Sequence, residues 1–113
     1  MRILIVEDEY LIACGEATAL RQAGCDVVGM AGTVPRALKL LDDKGCDAVV
    51  LDANLHGESA EPVAAAMRER GIPYLVLSGY AKNQQTGALA DAPFLAKPCK
   101  AADLVAAVQA LRK

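Results

Sequence analysis

Asp47-Ala48-Val49-Val50-Leu51-Asp52 is an apolar run that ends on a carboxylate, and its reading decides the fold. A run this short, without polar alternation, reads as a strand buried on both faces. Ile3 to Val6 has the same character and leads directly into Glu7-Asp8-Glu9. Between these two strands the chain predicts a helix from about Glu9 to Ala23, which Gly24 is placed to end. Asp26 to Ala31 follows as a second strand, interrupted by Gly29. Thr33 can cap the next helix, with Pro35 in its first turn, where a missing N–H costs nothing, and Gly45 stops it.

Beyond Asp52, Glu58 or Ser59 opens a third helix that tolerates Pro62 early and closes at Gly71. Pro73 to Leu77 reads as the fourth strand and Pro93 to Ala96 as a short fifth. The stretch between them, Ala81 to Asp91, predicts the weakest helix, short or mobile. It holds Asn83, Gln84, Gln85, Thr86 and Gly87, with Leu89 its only large aliphatic residue. A last helix runs from about Lys100 to Leu111, with Leu104, Val108 and Leu111 on one stripe. Five strand-then-helix units with buried strands imply a parallel sheet covered on both faces, with right-handed crossovers. The expected product is a flavodoxin-like (βα)5 three-layer α/β sandwich of strand order 2-1-3-4-5, one domain over residues 1–113.

Composition narrows the function. The chain is 54% hydrophobic, much of it alanine, which suits close helix packing. No run approaches the roughly 20 apolar residues of a membrane span, and no signal segment opens the chain, so a cytoplasmic location and no membrane partner are expected. Net charge is −2 with Lys and Arg scattered, which argues against direct nucleic-acid binding. Cys14, Cys25, Cys46 and Cys99 lack C-x-x-C spacing and read as buried free thiols. His56, the sole histidine, reads as a solvated loop residue.

In an open α/β sheet, ligands sit beyond the carboxyl ends of the strands, where strand order reverses. Strand one ends in Glu7-Asp8, strand three in Asp52, strand four in Ser78-Gly79 and strand five in Lys97-Pro98. Each is unremarkable alone, as a turn, cap or strand exit. Together they put three carboxylates, a hydroxyl and an ammonium on one rim. Two unit charges ~4 Å apart interact by about 4 kcal/mol at an effective dielectric near 20, and one lysine does not balance three anions. A hard cation such as Mg²⁺ does, because it accepts a few carboxylates and leaves positions for water and phosphate oxygens. Asp52 is then the nucleophile candidate, Asp8 a direct metal ligand and Glu7 a ligand through water. Ser78 and Lys97 offer a hydroxyl and a point charge to phosphoryl oxygens.

The stretches Ile5-Val6-Glu7-Asp8-Glu9, Val49 to Leu55, Leu77-Ser78-Gly79-Tyr80 and Phe94-Leu95-Ala96-Lys97-Pro98 resemble response-regulator receiver domains of bacterial two-component systems, over essentially the whole chain. The resemblance implies phosphoryl transfer to Asp52 from a histidine kinase or histidine phosphotransfer protein. It implies Mg²⁺ held by the acidic pair, Asp52 and the backbone carbonyl of Asn54. It also implies a switch through Ser78 and Phe94, although simple core packing explains Phe94 as well. Asn54 and Tyr80 hold positions that tune phosphate lifetime, and a bulky Tyr80 is expected to shield the acyl phosphate. Downstream signalling would use the surface of the fourth helix, fifth strand and fifth helix, in a stand-alone or an excised receiver.

Ser78 replaces the more usual Thr, and Cys99 stands where Phe is common. An aspartyl-phosphate phosphatase of similar fold would want an acid/base Asp where this chain has Asn54. A flavin module would want a phosphate loop where Glu7-Asp8-Glu9 repels phosphate. A non-enzymatic phosphoacceptor is therefore expected.

Overall fold

The computed structural model describes residues 1–79 and 87–111. The strands are β1 (Arg2–Val6), β2 (Asp26–Ala31), β3 (Ala48–Asp52), β4 (Tyr74–Ser78) and β5 (Phe94–Ala96). The helices are α1 (Tyr10–Gln22), α2 (Val34–Lys44), α3 (Glu61–Arg70) and, at the C-terminal end, α4 (Ala101–Ala110). The four pairings of this sheet are parallel and its order is β2-β1-β3-β4-β5, the sandwich expected from the sequence.

Period-two alternation divides the sheet between two apolar layers. Ile3, Ile5, Ala48, Val50, Leu75 and Leu77 pack with α1 and α4, around Ala13, Leu20, Leu104 and Val108. Leu4, Val6, Val49, Leu51 and Val76 pack the other way, with Ala37 and Leu41 of α2 and Val63 and Met67 of α3. Gly29 does not end β2. The register with β1 slips there, Ile3 facing Val27 and Leu4 facing Gly29, so Val28 is the extra residue of a bulge. A Cβ on Gly29 would stand 3.1 Å from a Leu40 methyl, so the small residue lets α2 close on the sheet.

Two local expectations change. The third helix starts at Glu61, later than Glu58 or Ser59, and Ala60 at its N-cap gives no side-chain hydrogen bond. Glu58 and Ser59 instead pair antiparallel with Leu55 and Asn54 in a small hairpin, turned by His56 and Gly57 at φ 52 and 84. Two positive φ values are what a tight two-residue hairpin turn demands. The four cysteines are free but only half-buried: Cys14 lies on α1 beside its buried stripe of Ala13, Glu16, Ala17 and Leu20, and Cys25, Cys46 and Cys99 lie in the connections between elements.

Of the predicted helix Ala81 to Asp91, residues 80–86 lie outside the described residues, and Gly87–Leu89 forms a single 3₁₀ turn. That turn is clamped from two sides. Glu61 Oε1 and Oε2 accept the N–H groups of Ala88 and Leu89 at 3.2 and 3.3 Å, and the Tyr74 hydroxyl donates to the Ala88 carbonyl. Gly87 has φ +57, and a Cβ there would meet Glu61 Oε1 at 2.8 Å. Gly87→Ala is therefore expected to undock the turn and lower stability by about 1–3 kcal/mol, read as a lower urea midpoint.

Candidate functional site

The alternation that builds the core also aims the polar ends of the strands. Glu7 lies two residues beyond Ile5, Asp52 two beyond Val50, and Lys97 two beyond Leu95, so all three fall on the α1/α4 side of the sheet. Backbone bonds extend the ladder past the strands proper. Glu7 N–H donates to the Ala31 carbonyl at 2.9 Å, and Lys97 N–H to the Ser78 carbonyl at 2.8 Å. Ser78 ends β4 and is buried. The Lys97–Pro98 peptide bond is cis.

Carboxylate oxygens of Glu7, Asp8 and Asp52 lie within 4.8 Å of one another. Lys97 Nζ donates to Glu7 Oε1 at 3.0 Å and to Asp52 Oδ2 at 3.2 Å. Glu9 N–H donates to Glu7 Oε2 at 3.2 Å, and Asn54 N–H to Asp52 Oδ1 at 3.2 Å. Glu7 and Asp52 are buried, Asp8 less so. Burial, with Asp8 and Asp52 adjacent, pushes the Glu7 carboxyl up to about 8, partly offset by Lys97. Burial acts on Asp8 in the same sense, but hydrogen bonds from Glu7 and the His56 N–H leave its pKa below the ordinary value. Burial opposes the charge on Lys97, yet Glu7 and Asp52 hold its pKa above the usual lysine range.

One participant was not visible from the sequence. The His56 backbone N–H donates to Asp8 Oδ2 at 3.0 Å, and its Nδ1 lies 3.4 Å from the same oxygen, so this residue is more than a solvated loop position. The signal available was the His56-Gly57 pair as a hairpin turn; the partner of that turn has no local signature. Asn54 is exposed, and its side-chain oxygen accepts from Gly57 N–H at 2.8 Å, which closes the hairpin. Phe94 is half-buried against the α2/α3 layer. Tyr80 lies outside the described residues.

This donor set fits a small hard cation. It is all oxygen, carries more negative charge than Lys97 balances, and sits at the rim of the sheet. Residues 3–109 match the family model described as response regulator receiver domain. The chain belongs to that family.

Receiver domains are signalling domains, and relatives agree with a phosphoacceptor role. PdtaR, a transcriptional regulatory protein of Mycobacterium tuberculosis, is 30% identical over 112 residues, covering 96% of this chain and 55% of its own length. The chain thus spans about half the length of the curated relatives it matches. Among solved structures, SdrG from Sphingomonas melonis Fr1 is 38% identical at TM-score 0.84, covering 100% of this chain and 97% of SdrG. A BeF3-activated conformation of SdrG superposes at TM-score 0.81, with 38% identity and coverage of 98% and 94%. A response regulator from Burkholderia pseudomallei, solved with a phosphorylated aspartic acid, calcium ion and citrate, is 26% identical at TM-score 0.82 over 98% of this chain and 72% of that one. A divalent metal at an acidic pocket belongs to this family, and this chain has an acidic cluster of Glu7, Asp8 and Asp52. Among the described residues no helix is long and apolar enough to cross a membrane.

Proposed function

We propose that residues 1–113 act as one receiver unit that accepts a phosphoryl group on Asp52 from a histidine kinase or phosphotransfer protein, with Mg²⁺, and signals by a conformational change. The observation that carries this reading is the junction of Asp52 with Glu7 and Asp8 on one side and Lys97 on the other. An oxygen of the ionised Asp52 carboxylate attacks phosphorus, the bond from phosphorus to the donor's imidazole nitrogen breaks, and that nitrogen keeps the electron pair. Glu7, Asp8, Asp52 and the Asn54 carbonyl would hold Mg²⁺, which when bound would supply positive charge to the phosphoryl oxygens. Lys97 and the Ser78 hydroxyl are the protein's own donors to those oxygens, and they hold the group without reorganisation by water.

Ser78 and Phe94 form the proposed switch, with β5 and its neighbouring helices as the partner surface. Asn54, exposed beside Asp52, and Tyr80 are proposed to set how fast water removes the phosphate. Tyr80→Ala should shorten its lifetime, and an unchanged lifetime would count against that role. The BeF3-activated form of SdrG supports beryllofluoride as the probe of the switch. Binding should require Mg²⁺ and move amide resonances around Asp52, Ser78 and β5. No response to beryllofluoride with Mg²⁺ present would refute the proposal.

Acidity has a definite sign here. In the metal-free fold Glu7 stays protonated up to about pH 8, well above an unfolded glutamate near 4.5. Between those values the folded state binds the extra proton, so raising pH lowers metal-free stability across that window. Mg²⁺ requires the carboxylate, so its affinity should rise from pH 6 to pH 8 and binding should release a proton. Calorimetry in two buffers of different ionisation enthalpy reads that proton directly, and a buffer-independent heat would contradict it.

A further inference from the structure

Among the described residues, one buried side-chain polar atom has no hydrogen-bond partner, Glu16 Oε1. Glu16 is 9% exposed and sits on the inner stripe of α1, whose other buried members are Ala13, Ala17 and Leu20. Packing gives no reason for a carboxyl there. Burial pushes it up to about 7, with Lys97 pulling in the opposite direction and Asp52 adding to the rise. Glu16 and Lys97 border one cavity of about 560 Å³ between α1 and the start of α4, lined otherwise by groups such as Ile12, Pro98 and Leu104.

Lys97 occupies the oxygens that a metal would need. Its ammonium is on Glu7 and Asp52, two of the three clustered carboxylates. A divalent ion taking those lone pairs displaces the ammonium and repels it. Four flexible methylenes let the head move, but a partly buried ammonium without an acceptor is costly. An unpartnered carboxyl oxygen on the same cavity is an acceptor in waiting.

We propose that Glu16 is a second seat for Lys97, holding its ammonium while a divalent ion occupies Glu7 and Asp52 and giving it up to an arriving phosphoryl oxygen. This deepens the receiver reading and rests on it. Glu16 is a positioning residue, acting on the phosphoryl group only through Lys97.

The test is Mg²⁺ affinity, with Mg²⁺ alone as the probe, read from amide shifts of the full chain in a double-mutant cycle. Glu16→Gln should weaken Mg²⁺ binding by about three- to tenfold, because the displaced ammonium loses its seat. Lys97→Met should tighten binding by removing the competitor, and Glu16→Gln added to it should then change little. An equal loss in both backgrounds would mean that Glu16 acts only by long-range charge, and overturns the proposal. No loss in either also overturns it. In wild type, needing no variant, the Lys97 side-chain ¹⁵N resonance should shift on Mg²⁺ addition and keep slow proton exchange. Fast exchange with solvent there would refute a second seat. If wild type bound no Mg²⁺, the receiver reading itself would fail; normal binding with a failed cycle removes only the role of Glu16.

Discussion

Asp52→Asn is expected to reduce phosphoryl uptake from a small acyl-phosphate donor by at least about 1000-fold, since a neutral amide is a poor nucleophile toward phosphorus. The fold should survive. Asp52 is buried beside Glu7 and Asp8, and removing its charge relieves repulsion while Lys97 keeps its bond to Glu7. Metal-free stability at pH 8 should therefore hold or rise, by up to about 1 kcal/mol. The combination is diagnostic, because a core position would lose stability and a chemical one loses only chemistry. Intact mass after incubation with donor, beside a urea titration, separates the two. Uptake near the wild-type rate would remove Asp52 from its role.

Lys97→Met has the second large effect, and in the opposite pattern. Lys97 is the cation hydrogen-bonded to both Glu7 and Asp52, whose side chains are 1% and 9% exposed. Taking one partner from a buried ion cluster typically costs about 3–5 kcal/mol, and partial exposure of the lysine puts the expected loss here at about 2–4 kcal/mol without metal at pH 8. Below pH 7 the loss should shrink, because Glu7 is protonated and needs no counter-charge. Millimolar Mg²⁺ should restore most of it by neutralising the same oxygens. Thermal unfolding with and without Mg²⁺ at the two pH values reads all three effects. A loss independent of pH and Mg²⁺ would show that the methionine merely packs badly.

The strands were legible because their signal is local. Val49-Val50-Leu51 and Ile3-Leu4-Ile5 are too short and too uniformly apolar for much else, and the carboxylates ending them fall at the rim by topology alone. The same parity that packs Ile5, Val50 and Leu95 into one layer carries Glu7, Asp52 and Lys97 to one face. The opening of α3 was less legible. Glu58 and Ser59 have helix-opening chemistry, but a hairpin across to Asn54 and Leu55 outcompetes it. Gly29 misled by suggesting a break, since a bulge absorbs it. His56 on Asp8, and Glu16 on the cavity that Lys97 also borders, bring together residues far apart in the chain, and no spacing rule announces such a meeting.

The central claim is that Asp52 carries the phosphoryl group. Its most direct measurement is site mapping in the wild-type chain after incubation with donor and Mg²⁺. Reduction by borohydride turns an aspartyl phosphate into homoserine, which peptide mass spectrometry then locates. The account predicts homoserine at position 52, absent when Mg²⁺ is chelated. Homoserine at another aspartate, or none anywhere with donor and Mg²⁺ both present, would contradict it.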